Sequence, residues 1–130
     1  MNSNIILVVD DERAIADTLA AILVMSGYEA VATYGAIEAV AILGNCEPAL
    51  IITDVIMPEM NGLELAGKAR DMYPRTKILL MSGNAVTQDI LDAAGVARQS
   101  FEVVAKPVPP RQMLSMVASL MGRSSGHISL

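Results

Sequence analysis

Aromatic residues are scarce in this chain: tryptophan is absent, and one phenylalanine and three tyrosines are all that 130 residues contain. A platform that stacks the bases of single strands needs more rings than that. Clusters of lysine and arginine are missing too, and a formal net charge of -5 with a pI near 4.7 weighs against holding a phosphate backbone. Nucleic-acid contact by this domain is not expected. The single cysteine, Cys46, excludes an internal disulfide and agrees with a reducing compartment; its expected place is a partly buried position near a turn. No apolar run approaches the roughly 18 to 20 residues of a membrane-spanning helix, and the longest, such as Leu19 to Met25, fit buried helix faces. The N-terminal residues lack a basic segment followed by a hydrophobic signal core, so a cytoplasmic location without membrane contact is the expectation. The one histidine, His127, has no partner in sequence that would make it a catalytic base or a metal ligand.

What is present is apolar. Hydrophobic residues form 53% of the chain and charged ones 18%, which argues for one well-filled domain. We expect it over residues 1–121, with 122–130 as a loose tail. The run Ile5-Ile6-Leu7-Val8-Val9 is short and β-branched, as a strand buried on both faces should be. Ile15, Leu19, Ile22 and Leu23 then recur at helical spacing up to Met25, and Ser26-Gly27 supplies the stop. The alternation continues with a strand from Tyr28 to Thr33, a helix from about Ala36 to Leu43, and the run Ala49-Leu50-Ile51-Ile52 leading into Asp54. A turn-rich segment, Met57 to Gly62, precedes a helix ending near Tyr73-Pro74, and Lys77 to Met81 reads as a fourth strand closed by Ser82-Gly83. A helix around Val86 to Ala94, a strand from about Phe101 to Ala105 and a helix from about Pro110 to Met121 complete five strand-helix units. Such alternation implies an α/β fold, a doubly wound parallel sheet covered on both faces.

In a doubly wound sheet, ligands bind at the carboxyl ends of the strands. Asp10 and Asp11 follow the first strand, Asp54 ends the third, Ser82 the fourth and Lys106 the fifth. Each alone is weak evidence, since acids after a strand commonly solvate a loop or cap a helix. Together they should converge at one edge. A carboxylate there can act as nucleophile toward a phosphoryl group and form an acyl phosphate, and Asp54 is the candidate. Charge on the transferring group calls for a divalent cation and a lysine. Mg²⁺ takes oxygen ligands, which Asp10, Asp11 and Asp54 can supply; three clustered carboxylates without a cation would repel one another.

These pieces carry a family resemblance. The acidic pair in Val8-Val9-Asp10-Asp11-Glu12, the segment Asp54-Val55-Ile56-Met57-Pro58-Glu59-Met60-Asn61-Gly62, the strand end Leu80-Met81-Ser82-Gly83 and the tripeptide Ala105-Lys106-Pro107 stand in the order found in response-regulator receiver domains. The chain resembles that family over about residues 4–121. The resemblance implies a flavodoxin-like (βα)5 fold with five strands in order 2-1-3-4-5, and phosphorylation of Asp54 from a phosphohistidine of a sensor histidine kinase or phosphotransfer protein. It implies Mg²⁺ held by Asp10, Asp11, Asp54 and the backbone carbonyl of Ile56, phosphoryl contacts from Ser82 and Lys106, and a cis peptide at Lys106-Pro107. Output would reach an unknown downstream protein through the face of the fourth helix, fifth strand and fifth helix, the loop Gly83 to Thr87 carrying most of the change; a homodimer is also compatible. The domain would be a regulatory phosphoacceptor rather than an enzyme, although it assists its own phosphorylation and dephosphorylation.

One departure from the family stands out. The position three before the lysine, usually Tyr or Phe, holds Val103; Phe101 should face the same side of the strand and belong to the core. The resemblance also implies that Ile56 and Asn84, two residues after Asp54 and Ser82, flank the approach of an attacking water and tune phosphoryl lifetime; an apolar Ile56 cannot orient water, so slow self-hydrolysis is expected. Two other readings use the same residues. A pseudo-receiver would keep the fold without taking phosphate, against which stands the filling of all five site positions. A haloacid-dehalogenase-like phosphatase would need Asp-x-Asp after the first strand, where this chain has Asp10-Asp11-Glu12.

Overall fold

A computed structural model describes residues 4–83 and 101–122. Five strands lie in it: β1 (Ile5–Val9), β2 (Glu29–Thr33), β3 (Leu50–Asp54), β4 (Lys77–Ser82) and β5 (Glu102–Ala105). They form one parallel sheet in the order β2-β1-β3-β4-β5, as expected. The helices among the described residues are α1 (Arg13–Met25), α2 (Ala36–Leu43), α3 (Gly62–Met72) and, after β5, α4 (Pro110–Leu120). The helix expected around 86–94, together with Asn84 and His127, lies outside the described residues.

Period-two alternation in the central strands divides the core. Ile51, Leu7, Val9, Ile78 and Leu80 point to the side covered by α2 and α3, while Ile52, Leu50, Ile6, Val8 and Leu79 point to the side covered by α1 and α4. All five residues of β3 are buried, which is why its sequence reads as a continuous apolar run. Truncating one of these large side chains to alanine costs about 2–5 kcal/mol. Phe101 is buried on the α2/α3 side with the Arg70 guanidinium over its ring at 5.1 Å, and Val103 packs against the same cluster. The ring is committed to the core.

The helix ends are secured unequally. Asn61 and Glu64 form a reciprocal capping box at the start of α3, with Glu64 N–H donating to Asn61 Oδ1 at 2.9 Å. Pro110 opens α4, where its missing N–H costs nothing. At α1, Glu12 occupies the capping position without a side-chain cap bond. Gly27, at φ 96°, makes the turn out of α1 that the Ser26-Gly27 pair foretold. No described helix is long and apolar enough to cross a membrane.

Candidate functional site

Register brings the polar strand ends to one edge. Val9 pairs with Thr33 and Thr53, Asp54 with Met81, and Ser82 with Ala105, so Asp10, Asp54, Ser82 and Lys106 stand at neighbouring chain positions along the carboxyl edge. Asp10, Asp11 and Asp54 can each turn one carboxylate oxygen to within 4.8 Å of the others. Lys106 bridges two of them, its Nζ 3.2 Å from Asp10 Oδ2 and 3.1 Å from Asp54 Oδ2. The Lys106-Pro107 peptide is cis. Lys106 N–H donates to the Ser82 carbonyl at 2.8 Å, tying the ends of β4 and β5 together, and Ser82 is itself buried.

The acidic pair is not a pair of equals. Asp10 is fully buried and committed: Oδ1 accepts the Glu12 N–H at 3.0 Å and Oδ2 faces Lys106. Asp11 is exposed, and among the described residues no hydrogen bond or ion pair holds its carboxylate. Asp54 sits between these extremes, 8% exposed. Burial pushes its carboxyl above the ordinary aspartate range, the nearby Asp10 charge adds to this, and Lys106 only partly opposes it. Burial by itself would draw the Lys106 ammonium down, but Asp54 and Asp10 outweigh it and hold the group above the usual lysine value. The chemical consequence is an oxygen-rich cleft with three carboxylates against one ammonium, which suits a hard divalent cation and then an anionic group. Asp11, Asp54, Ile56, Gly83, Lys106 and Pro107 line this cleft, and Ile15 and Glu12 close its α1 side.

Two contributions to the site were not foreseen from the sequence. Gly62, read as a turn residue and as the end of the receiver-like segment, is packed so tightly that a Cβ there would lie 2.2 Å from the Asp54 carbonyl oxygen. Thr33 ends β2 and accepts the Asp10 N–H on its carbonyl at 3.2 Å while its hydroxyl donates to the Val8 carbonyl at 3.0 Å. The Asn61-Gly62 pair signalled the first; nothing in the sequence around Thr33 signalled the second.

The family model of the response regulator receiver domain matches residues 6–118. The chain belongs to this family. It is 33% identical over 113 residues to the response regulator protein FleR of Pseudomonas aeruginosa, covering 87% of this chain and 24% of that protein. It is 34% identical over 130 residues to the DNA-binding transcriptional regulator NtrC of Azospirillum brasilense, covering 100% and 27% respectively. This receiver domain thus spans about a quarter of the length of those two curated relatives. Among solved structures, a CheY-like receiver domain protein from Methanospirillum hungatei superposes with a TM-score of 0.80 at 31% identity, over 92% of this chain and 94% of that one. The chemotaxis protein CheY4 of Vibrio cholerae gives 0.79 at 27% identity, over 90% and 98%. The fold and its place in two-component systems follow from these likenesses.

Proposed function

We propose that this receiver domain, taken as residues 1–121, is a phosphorylation switch in which Asp54 accepts a phosphoryl group from a phosphohistidine of a sensor histidine kinase or phosphotransfer protein. The observation that carries the reading is the Lys106 ammonium lying between the buried Asp10 and Asp54 carboxylates, beside the exposed Asp11. In the transfer, an Asp54 carboxylate oxygen forms the new O–P bond as the N–P bond of the donor breaks, and the donor imidazole keeps the electron pair and takes up a proton. Asp10, Asp11, Asp54 and the Ile56 carbonyl would hold Mg²⁺, whose charge neutralises the phosphoryl oxygens. Lys106 and Ser82 stand at adjoining strand ends to contact those oxygens. The raised Asp54 carboxyl supports a cation in this place, because burial leaves its charge undercompensated by Lys106 alone.

Output follows from the same residues. Ser82 and Lys106 end β4 and β5, so drawing them toward a phosphoryl group moves what comes after each strand. The face carried by β5 and α4, with the expected helix near 86–94, is the route to a downstream protein; two states a few kcal/mol apart suffice to change its occupancy tenfold or more. Acetyl phosphate with Mg²⁺ tests the core of this reading. Intact-mass spectrometry should record one added phosphoryl group on the native protein and none on Asp54→Asn. Equal labelling of both would place the acceptor elsewhere, and no labelling of either would make this a pseudo-receiver.

A further inference from the structure

Downstream of Asp11 the loop enters α1 through an uncapped helix start, yet that start is held from outside the helix. Tyr34, the first residue after β2, reaches across to α1 with three restraints on it. Its hydroxyl donates to Asp17 Oδ1 at 2.5 Å, the Arg13 guanidinium lies 4.0 Å from its ring centroid, and its N–H donates to Glu38 Oε1 at 2.9 Å. The preceding residue, Thr33, accepts the Asp10 N–H. One dipeptide, Thr33-Tyr34, therefore holds both ends of the segment that carries Asp11: Asp10 through the backbone, and α1 through the ring at Arg13 in its first turn and the hydroxyl at Asp17 one turn on.

We infer that Tyr34 is a positioning residue for the cation site, fixing the Asp10-Asp11-Glu12 loop so that the exposed Asp11 carboxylate is presented to the metal. This role rests on the cation reading given above. Asp10 has two partners of its own and needs no further restraint. Asp11 has none among the described residues, so the place of its carboxylate is set by its backbone, which is held by the Asp10 N–H to Thr33 and Glu12 N–H to Asp10 bonds on either side and, beyond them, by what holds α1. A ligand group left to wander binds metal more weakly because binding must then order it. Arg13 and Asp17 lie four apart on one face of α1, so Tyr34 engages the helix at two points and resists its rotation. Tyr34 need touch neither metal nor phosphoryl group; its effect passes through the loop.

Mg²⁺ titration of the native protein, Tyr34→Phe, Tyr34→Ala and Asp11→Ala, by calorimetry, tests the inference, with circular dichroism confirming that each variant is folded at the titration temperature. Tyr34→Ala should bind Mg²⁺ about two- to five-fold more weakly, less than the roughly tenfold or greater loss that follows removal of a group bonded directly to a metal ligand. Tyr34→Phe, which keeps the ring under Arg13 and loses only the bond to Asp17, should show a smaller loss. A merely structural tyrosine would lower Tm in both variants and leave the Mg²⁺ affinity of the folded protein where it was; that result overturns the inference. Native protein that binds Mg²⁺ no better than Asp11→Ala would instead overturn the cation reading beneath it. Should Tyr34→Ala fail to fold, the comparison of Tyr34→Phe with native protein decides the question by itself.

Discussion

The two edges of the sheet handle polar groups in opposite ways. At the amino edge, Thr76 Oγ1 donates to the Pro48 carbonyl at 2.7 Å, the Tyr73 hydroxyl to the Leu43 carbonyl at 2.5 Å, and Lys77 N–H to the Ala49 carbonyl at 3.0 Å. At these three positions donors meet neutral backbone acceptors, beside an open cavity whose lining includes Glu47, Arg75 and Lys77. At the carboxyl edge three carboxylates gather beside one ammonium that pairs with only two of them, Asp10 and Asp54. Like charges with too little compensation are unfavourable, so this edge favours an added cation, whereas the three amino-edge pairs are already satisfied.

Glycines give the largest effect with which to break that contrast. Both Gly62 and Gly67 lie in α3, but a Cβ at Gly62 would meet the Asp54 carbonyl oxygen at 2.2 Å and the Val55 Cα at 3.0 Å, whereas one at Gly67 meets nothing within 4 Å. The obstacle is backbone and cannot rotate away. Gly62→Ala should destabilise the fold by about 1–3 kcal/mol or more and lower the acetyl phosphate labelling of Asp54, since the strand end carrying the acceptor must shift. Gly67→Ala should stabilise it by about 0.5–1 kcal/mol, the usual gain within a helix. Urea unfolding of the two variants checks the signs; equal shifts would mean that Asp54 is not braced by Gly62.

How far the sequence disclosed this arrangement depends on the range of the interactions involved. Local patterns spoke for the strands and helices among the described residues: the β-branched run Ile5 to Val9 and the apolar approach to Asp54 became β1 and β3, and boundaries there shifted by only a residue or two. Strand ends spoke for the site, because alternating topology forces Asp10, Asp54, Ser82 and Lys106 to a common edge. What stayed hidden depends on side chains far apart in the chain. Asp10 and Asp11 look alike as neighbours; they differ because Lys106, 96 residues on, engages Asp10 alone. Tyr34 belongs to no motif, and its link to Asp17 arises only once β2 lies beside β1. Gly62 was legible as a glycine of a turn, but its constraint is the Asp54 carbonyl.

A pair of near-isosteric substitutions sharpens the contrast at moderate size. Thr76→Val removes a satisfied amino-edge hydroxyl and leaves the Pro48 carbonyl without that partner, so it should cost on the order of 1 kcal/mol. Asp54→Asn should act with the opposite sign in metal-free buffer. The folded-state carboxyl of Asp54 is raised, chiefly by burial, so its contribution to stability is fully present below the ordinary aspartate pKa and is lost as pH rises through the raised value. A side-chain amide in its place has no such proton to lose. The variant should therefore match the native protein in acid and melt at a higher Tm near neutral pH, with the gap opening as pH rises above the carboxylate range. Mg²⁺ should narrow the gap by stabilising only the native protein. Thermal melts from about pH 3.5 to 8, spanning both sides of the carboxylate range, with and without Mg²⁺, check this. A variant that melts lower near neutral pH without metal would show that Lys106 compensates Asp54 fully.

The smallest effect on stability belongs to Ile56, and it is the one that bears on the lifetime of the proposed phosphorylated state. Ile56 is 48% exposed and lines the cleft beside Asp54, with Ile15 and Pro107 contributing further apolar wall. A phosphoryl group on Asp54 is lost when water attacks phosphorus in line with the Asp54 oxygen, and an isoleucine offers that water neither donor nor acceptor. Replacing it by a side chain that can hydrogen-bond water should speed the loss without disturbing the core, because an exposed substitution of this kind changes stability by no more than about 0.5 kcal/mol. Ile56→Asn should therefore shorten the acyl phosphate lifetime several-fold while Tm and initial labelling by acetyl phosphate stay near native values. The check is a time course of intact mass after removal of the phosphodonor. An unchanged lifetime would mean that water reaches phosphorus by a path Ile56 does not border, and the apolar wall would have no part in timing the switch.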